Sequence, residues 1–83
     1  MDRETWNVGP EHDDDLLRRL GDALRDLGYQ LGDAWDATAG SQDISHWDVA
    51  SPRGGLSIES ETYIGTTVTG PSSLVAELRN YLR

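Results

Sequence analysis

Two leucine-rich stretches with helical spacing lie near the ends of this sequence, and the stretch between them alternates. The first stripe consists of Leu16, Leu17, Leu20, Ala23, Leu24 and Leu27. The second consists of Leu74, Val75, Leu78, Tyr81 and Leu82. Apolar residues three and four positions apart form one face of a helix, whereas strict alternation forms one face of a strand. The pattern therefore predicts helices over about 11–27 and 71–82, with strands between them.

Boundary residues support both predicted helices. Pro10 and Pro71 stand near the two starts, where the missing N–H of proline would have no helical partner. The acidic run after Pro10 suits the positive end of a helix dipole, and Gly28 is placed to end the first helix. Gly21 inside this helix costs about 1 kcal/mol relative to Ala. We therefore expect another element to pack closely against it.

Alternating segments between the helices predict three or four strands. These segments are 29–37, 44–51, 56–61 and 63–69. Turn-forming residues predict connections at 38–43 and 52–55. In the first segment Tyr29, Leu31 and Trp35 share one parity, so they are predicted to share one face of the sheet.

The last two strands also predict a register. Leu56 and Ile58 should lie on the same face as Ile64 and Val68. A two-residue turn would instead place Ile58 opposite Gly65. We therefore expect an odd-length loop or a bulge near residues 61–63.

These elements predict an α+β fold that is a two-layer sandwich. An antiparallel sheet of three to four strands would carry the N-terminal and C-terminal helices on one face, in the order α-β-β-β-β-α. The opposite face would be left to solvent or to a partner. Residues 1–9 are mostly polar and are predicted to be an N-terminal arm, and residues 10–83 a single domain.

Composition excludes several classes of function. The net charge is −8, and all seven basic residues are Arg, which argues against binding of nucleic acid through its phosphates. The absence of Cys excludes disulfides and thiolate sites. No run approaches the roughly 18 apolar residues of a membrane span. The first residues lack the pattern of a secretory signal, so we expect a cytoplasmic protein.

Motifs for chemistry are weak. Ser45, His46 and Asp48 suggest a catalytic triad, but strand alternation places Ser45 on the face opposite the other two. We therefore expect His46 to be an exposed side chain beside a solvated Asp48. His12 and His46 lie on different elements and lack the ligand set that zinc requires. We predict no catalytic residue, no cofactor and no metal.

The distribution of charge is more informative. Residues 29–70 hold six acids and Arg53 alone, a net −5, whereas acids in the first helix have Arg neighbours. Aromatic side chains among unpaired acids are typical of a contact with a basic protein. The predicted partner-binding residues are Asp33, Trp35, Asp36, Asp43, Trp47, Asp48, Glu59 and Glu61. Alternatively, both Trp side chains lie under the helices and the acids only solubilise the chain.

This charge pattern favours a small, acidic, non-enzymatic protein that binds and inhibits a basic partner such as a nuclease or toxin. Bacterial immunity proteins act in this way, and the chain resembles them in size and charge alone. A second hypothesis is a homodimer formed through the open sheet face or an edge strand such as Ile44–Ser51. A third is a soluble housekeeping domain whose acidity reflects only a GC-rich genome or adaptation to salt, with no partner that binds the acidic residues.

Overall fold

A five-stranded antiparallel sheet and two helices form the computed structural model, which describes residues 2–9, 14–62 and 64–82. The strands are β1 (Arg3–Gly9), β2 (Gln30–Ala39), β3 (Gln42–Ser51), β4 (Gly54–Glu61) and β5 (Gly65–Pro71). The helices are α1 (Asp14–Asp26) and α2 (Ser72–Leu82). Across the sheet the order is β1-β5-β4-β3-β2, so β1 and β2 are its edges.

The predicted α+β class is confirmed, but the sheet has one strand more than expected. The order along the chain is β-α-β-β-β-β-α, because the segment predicted to be an arm forms β1. This strand pairs with β5, and Trp6 faces Val68. Trp6 and Val8 pack against the core and alternate with Thr5 and Asn7. Residues 3–9 thus carry a strand pattern that their overall polarity conceals.

Both predicted helices are present, with small differences at their ends. The described part of α1 begins at Asp14, and the predicted start at residues 11–13 lies outside the described residues. Helix α2 begins at Ser72, since Pro71 is the last residue of β5. After α1 the chain reverses at Gly28, whose φ is +92°.

The core lies between the helices and one face of the sheet. Helix α1 contributes Leu20, Ala23 and Leu24, and α2 contributes Leu74, Val75 and Leu78. The sheet contributes Val49, Leu56, Ile58 and Val68. In the register these four sheet residues form neighbouring pairs, Val49 with Leu56 and Ile58 with Val68. Both helices therefore cover the same face, as predicted.

The predicted β4–β5 register is confirmed. Ile58 faces Val68, and the strands are joined by the three residues 62–64. Ile64 was expected on the core face, but it lies in this connection with 54% of its surface exposed. Tyr63, predicted to begin the strand, lies outside the described residues.

The two other hairpins have shorter turns than predicted. Strands β2 and β3 are joined by residues 40–41 alone, and β3 and β4 by residues 52–53 alone. Strand β3 lies between β2 and β4. The segment Ile44–Ser51, proposed above as a self-pairing edge, is therefore an interior strand.

Strand β2 contains an irregularity that changes which way its side chains point. Leu31 pairs with Val49, and Ala34 pairs with Trp47, so two residues of β2 oppose one residue of β3. Such a bulge shifts the alternation by one position. Leu31 consequently faces the helices, whereas Trp35 faces the other side of the sheet. The prediction that these two residues share a face is wrong for this reason.

Candidate functional site

The sheet face that carries no helix, called here the open face, is polar. Its central row takes one residue from each strand, in the order Trp35, His46, Glu59, Thr67 and Asn7. A second row consists of Asp48, Ser57, Thr69 and Thr5. Alternation along each strand places these side chains on the same surface.

His46 is the centre of a hydrogen-bonded cluster on this face. Its Nδ1 lies 3.0 Å from Oε2 of Glu59, and its Nε2 lies 2.8 Å from Oδ1 of Asp48. The same Asp48 oxygen accepts a 3.0 Å hydrogen bond from the Ser57 hydroxyl. Trp35 stacks on the imidazole at 5.1 Å between ring centroids, with 9° between the planes. The His46 side chain is only 14% exposed, so the prediction of an exposed histidine is wrong.

The surroundings of His46 favour its charged form. Desolvation alone would lower the pKa of His46, but the hydrogen bonds with Asp48 and Glu59 outweigh it and raise that pKa above its ordinary value. The hydrogen bonds from His46 and then Ser57 lower the pKa of Asp48. In its charged form the imidazolium donates through both nitrogens. In that form His46 has no lone pair with which to activate a serine.

The alternation predicted for the triad-like residues is confirmed. His46 and Asp48 lie on the open face, and Ser45 belongs to the opposite face, where its backbone is paired with Asp36 and Ser60. The geometry therefore does not form a nucleophile–base pair from these residues.

The structure divides the eight predicted partner-binding residues between two faces. Trp35, Asp48, Glu59 and Glu61 lie on the open face. Asp36, Asp43 and Trp47 belong to the helix-covered face, and Asp33 lies in the β2 bulge. Trp47 packs against the core, as the alternative interpretation of this residue stated. Trp35 is 47% exposed and remains available for contact through its unstacked surface.

Four of the six Arg side chains in the described ranges pair with acids that lie outside the open face. In α1, Arg18 lies 2.6 Å from Asp15, and Arg25 pairs with Asp22. The other two ion pairs involving Arg are Arg53 with Glu77 and Arg79 with Glu4. Within the described ranges, none of the six acids of residues 29–70 has an Arg ion-pair partner. Their only positively charged neighbour there is His46.

Arg53 is the sole Arg in the segment 29–70, and it is bound internally. Its guanidinium pairs with Glu77 of α2 and donates a 3.0 Å hydrogen bond to the Leu27 carbonyl after α1. It also lies over the Tyr29 ring, 5.9 Å from the centroid. Arg53 thus joins the β3–β4 turn to both helices. On the open face, alternation places Arg3 at the β1 edge beside Thr5, on the far side of the sheet from Trp35.

The His46 cluster was missed because it depends on one turn length. A four-residue turn at 52–55 would pair His46 with Glu61, whereas the two-residue turn at 52–53 pairs it with Glu59. Pro52-Arg53 followed by two glycines was the available signal, because the glycines can belong to the strand.

The described residues show neither a metal cluster nor a membrane helix. Among them, no three His, Cys, Asp or Glu side chains are placed to hold a metal ion. His12 lies outside the described residues. Neither described helix has the length and apolar character needed to cross a bilayer. Comparison with known proteins gives no match to a family model, a curated protein or a solved structure.

Proposed function

We propose that this chain is a non-enzymatic acidic protein that docks its open face on a basic surface of another protein. The observation that carries the proposal is the separation of charges among the described residues. Asp48, Glu59 and Glu61 lie on one face of the sheet with no Arg ion-pair partner among the described residues, while the paired Arg residues lie elsewhere. Trp35 adds an exposed aromatic surface beside them.

The open face favours docking because its acidic side chains are held in place before binding. Glu59 and Asp48 are fixed by His46, and Glu61 accepts a 3.2 Å hydrogen bond from Gln42. Preorganised side chains lose less entropy on association. Acidic groups also accelerate encounters with a basic partner through long-range attraction.

Enzymes that act on nucleic acids have basic sites because they hold phosphates. We infer that the partner is of this kind, a nuclease or toxin, and that the chain acts as an inhibitor of the immunity type in the cytoplasm. The open face supports this inference, since it offers three carboxylates on neighbouring rows of the sheet, where several basic side chains of a partner can meet them.

The test is affinity capture on the immobilised chain from the source cytosol, followed by measurement of the dissociation constant for each purified captured protein. The double variant Glu59→Gln/Glu61→Gln and the variant Trp35→Ala should each weaken binding by about tenfold or more. Asp22→Asn/Asp26→Asn removes the same charge from α1 and should weaken it only slightly. Binding should also fall strongly between 0.05 and 0.5 M salt. Equal losses in both double variants, or no salt dependence, would refute docking through the open face.

Self-association is separated by sedimentation of the chain alone. A monomer at low and at high salt leaves the hetero-partner proposal standing. A salt-promoted dimer abolished by Trp35→Ala would instead assign the open face to a second copy. If the chain captures nothing and stays monomeric, the acidity is explained by genome composition or salt adaptation.

A further inference from the structure

An apolar groove lies on the other side of the sheet from the open face. It has a volume of about 320 Å³ and runs between α1 and the β2–β3 end of the sheet. Its apolar lining includes Leu17, Leu20, Leu24, Leu31, Trp47 and Val49. Gly21 also lines it, and a Cβ atom there would have no neighbour within 4 Å. The close packing expected at Gly21 is therefore absent, and this side of α1 is open.

The free edge of β2 borders this groove. Strand β2 has ten residues and pairs with β3 on one side only, so its other side has no strand partner among the described residues. From Ala34 onward the pairing with β3 is regular. Leu31 reaches into the groove while 63% of its surface stays exposed. An edge of this kind can accept another extended chain through main-chain hydrogen bonds.

Charge on this edge selects among possible occupants. Asp33 and Asp36 are exposed, and neither has an ion pair with a described residue. A second copy of β2 paired antiparallel about its centre would set Asp33 against Asp36, and like charges opposite each other are destabilising. The net charge of −8 on each copy adds to this repulsion. A basic segment from another protein has neither disadvantage.

We propose that the β2 edge and its groove bind an extended basic segment of another protein, which adds to the sheet as a sixth strand. Alternation fixes the pattern of the segment. On the helix side, an apolar residue lies beside Leu31 and an Arg or Lys lies beside Asp36, four positions away, because the β3 partners of Leu31 and Asp36 are four residues apart. Because the open-face side chains point to the other side of the sheet, this site is independent of the function proposed above.

The test begins with a displayed library of random ten-residue peptides selected on the immobilised full chain. Enriched peptides should place Arg or Lys four positions from a large apolar residue. The best peptide is then synthesised with a fluorophore, and its dissociation constant is measured by anisotropy. Methylation of alternate backbone nitrogens on the paired side of the peptide should abolish binding, since main-chain pairing requires those N–H groups.

Variants locate the site on the chain. Asp36→Arg should weaken the peptide by about tenfold or more through like-charge contact, and Gly21→Leu should do so by filling the groove. Glu61→Arg makes the same charge change on the open face and should leave binding within about twofold, because exposed charges at a distance are screened. Circular dichroism checks that each variant is folded. If Gly21→Leu does not fold, Asp36→Arg still tests the proposal, because Asp36 is exposed.

Four results would overturn the proposal. They are a selection without enriched peptides, full binding by the methylated peptide, equal weakening by Glu61→Arg and Asp36→Arg, and a dimer of the chain that Asp36→Arg disrupts. The last result would assign the edge to a second copy. The open-face test and this peptide-binding test vary different residues, apart from Glu61, which is only a control here. Failure of the open-face test therefore leaves the result of the peptide-binding test unaffected.

Discussion

The two ends of the sheet, β5 with α2 on one side and β2 on the other, differ in the contacts that stabilise them. Around β5 and α2, Val68, Val75 and Leu78 are fully buried, and Arg79 of α2 pairs with Glu4 of β1. In β2, every residue from 30 to 38 is exposed. Burial of apolar surface is the main stabilising contribution to folding. Stability is thus concentrated at the β5 end of the sheet and unpaired acidic groups at the β2 end. A substitution at one end should therefore have little effect on the other end.

The largest expected contrast compares two leucines. Leu78→Ala at the buried end should lower the free energy of unfolding by about 2–5 kcal/mol, since it removes a fully buried side chain and leaves a cavity. Leu31→Ala in β2 should change it by less than about 0.5 kcal/mol, because most of Leu31 is already in water. Urea denaturation followed by circular dichroism measures both. Similar losses would show that β2 is as essential to the core as α2.

Two glycines with positive φ give the next contrast. At Gly65 φ is +105°, and a Cβ would lie 2.6 Å from the Gly9 carbonyl oxygen. Gly65→Ala should therefore cost about 2–3 kcal/mol in backbone strain and crowding. At Gly40 φ is +65° but the space is empty, so Gly40→Ala should cost only about 1 kcal/mol. Equal midpoints in urea would mean that β1 moves aside from β5 easily.

Gly21→Ala should stabilise the chain by about 0.5–1 kcal/mol. Gly21 lies inside α1 with no neighbour around its missing Cβ, so only helix propensity changes. The thermal midpoint should rise by several degrees. A decrease would indicate that the groove beside α1 closes in solution.

The smallest expected effect is a dependence on pH. The raised pKa of folded His46 means that its contribution to stability is fully present below the unfolded pKa of about 6.5. It is lost as the pH rises through the folded pKa. Urea midpoints measured from pH 6 to 9 should therefore fall in the wild type and fall less in His46→Gln. A pH dependence that is the same in both would exclude His46 as its source.

Periodicity was sufficient to predict much of the fold. The two leucine stripes located α1 and α2, since each stripe is continuous, the first is followed by Gly28 and the second is preceded by Pro71. The parity of Ile58 and Val68 predicted the odd connection between β4 and β5, because both side chains must reach the same core. These predictions succeeded where several residues in one element obey the same constraint.

The features of the fold and site that the sequence did not predict depend on one or two residues each. Strand β1 depends on Trp6 and Val8 alone for its apolar face, so its polar residues concealed it. The length of the Pro52-Arg53 turn decided whether His46 meets Glu59. The residues of the candidate site come from separate strands. Short-range sequence patterns do not determine the relative register of those strands, so they could not predict the site.

The bulge at Gly32 and Asp33 makes one strand serve two surfaces. Leu31 points into the groove and Trp35 onto the open face because of a single additional position. Because Leu31 is paired with Val49 and Trp35 with His46, deleting one of the two bulge residues would give regular pairing and leave both side chains on their present faces. The register against β3 thus keeps the two proposed sites on opposite faces, and β2 can lose one residue at the bulge without mixing them.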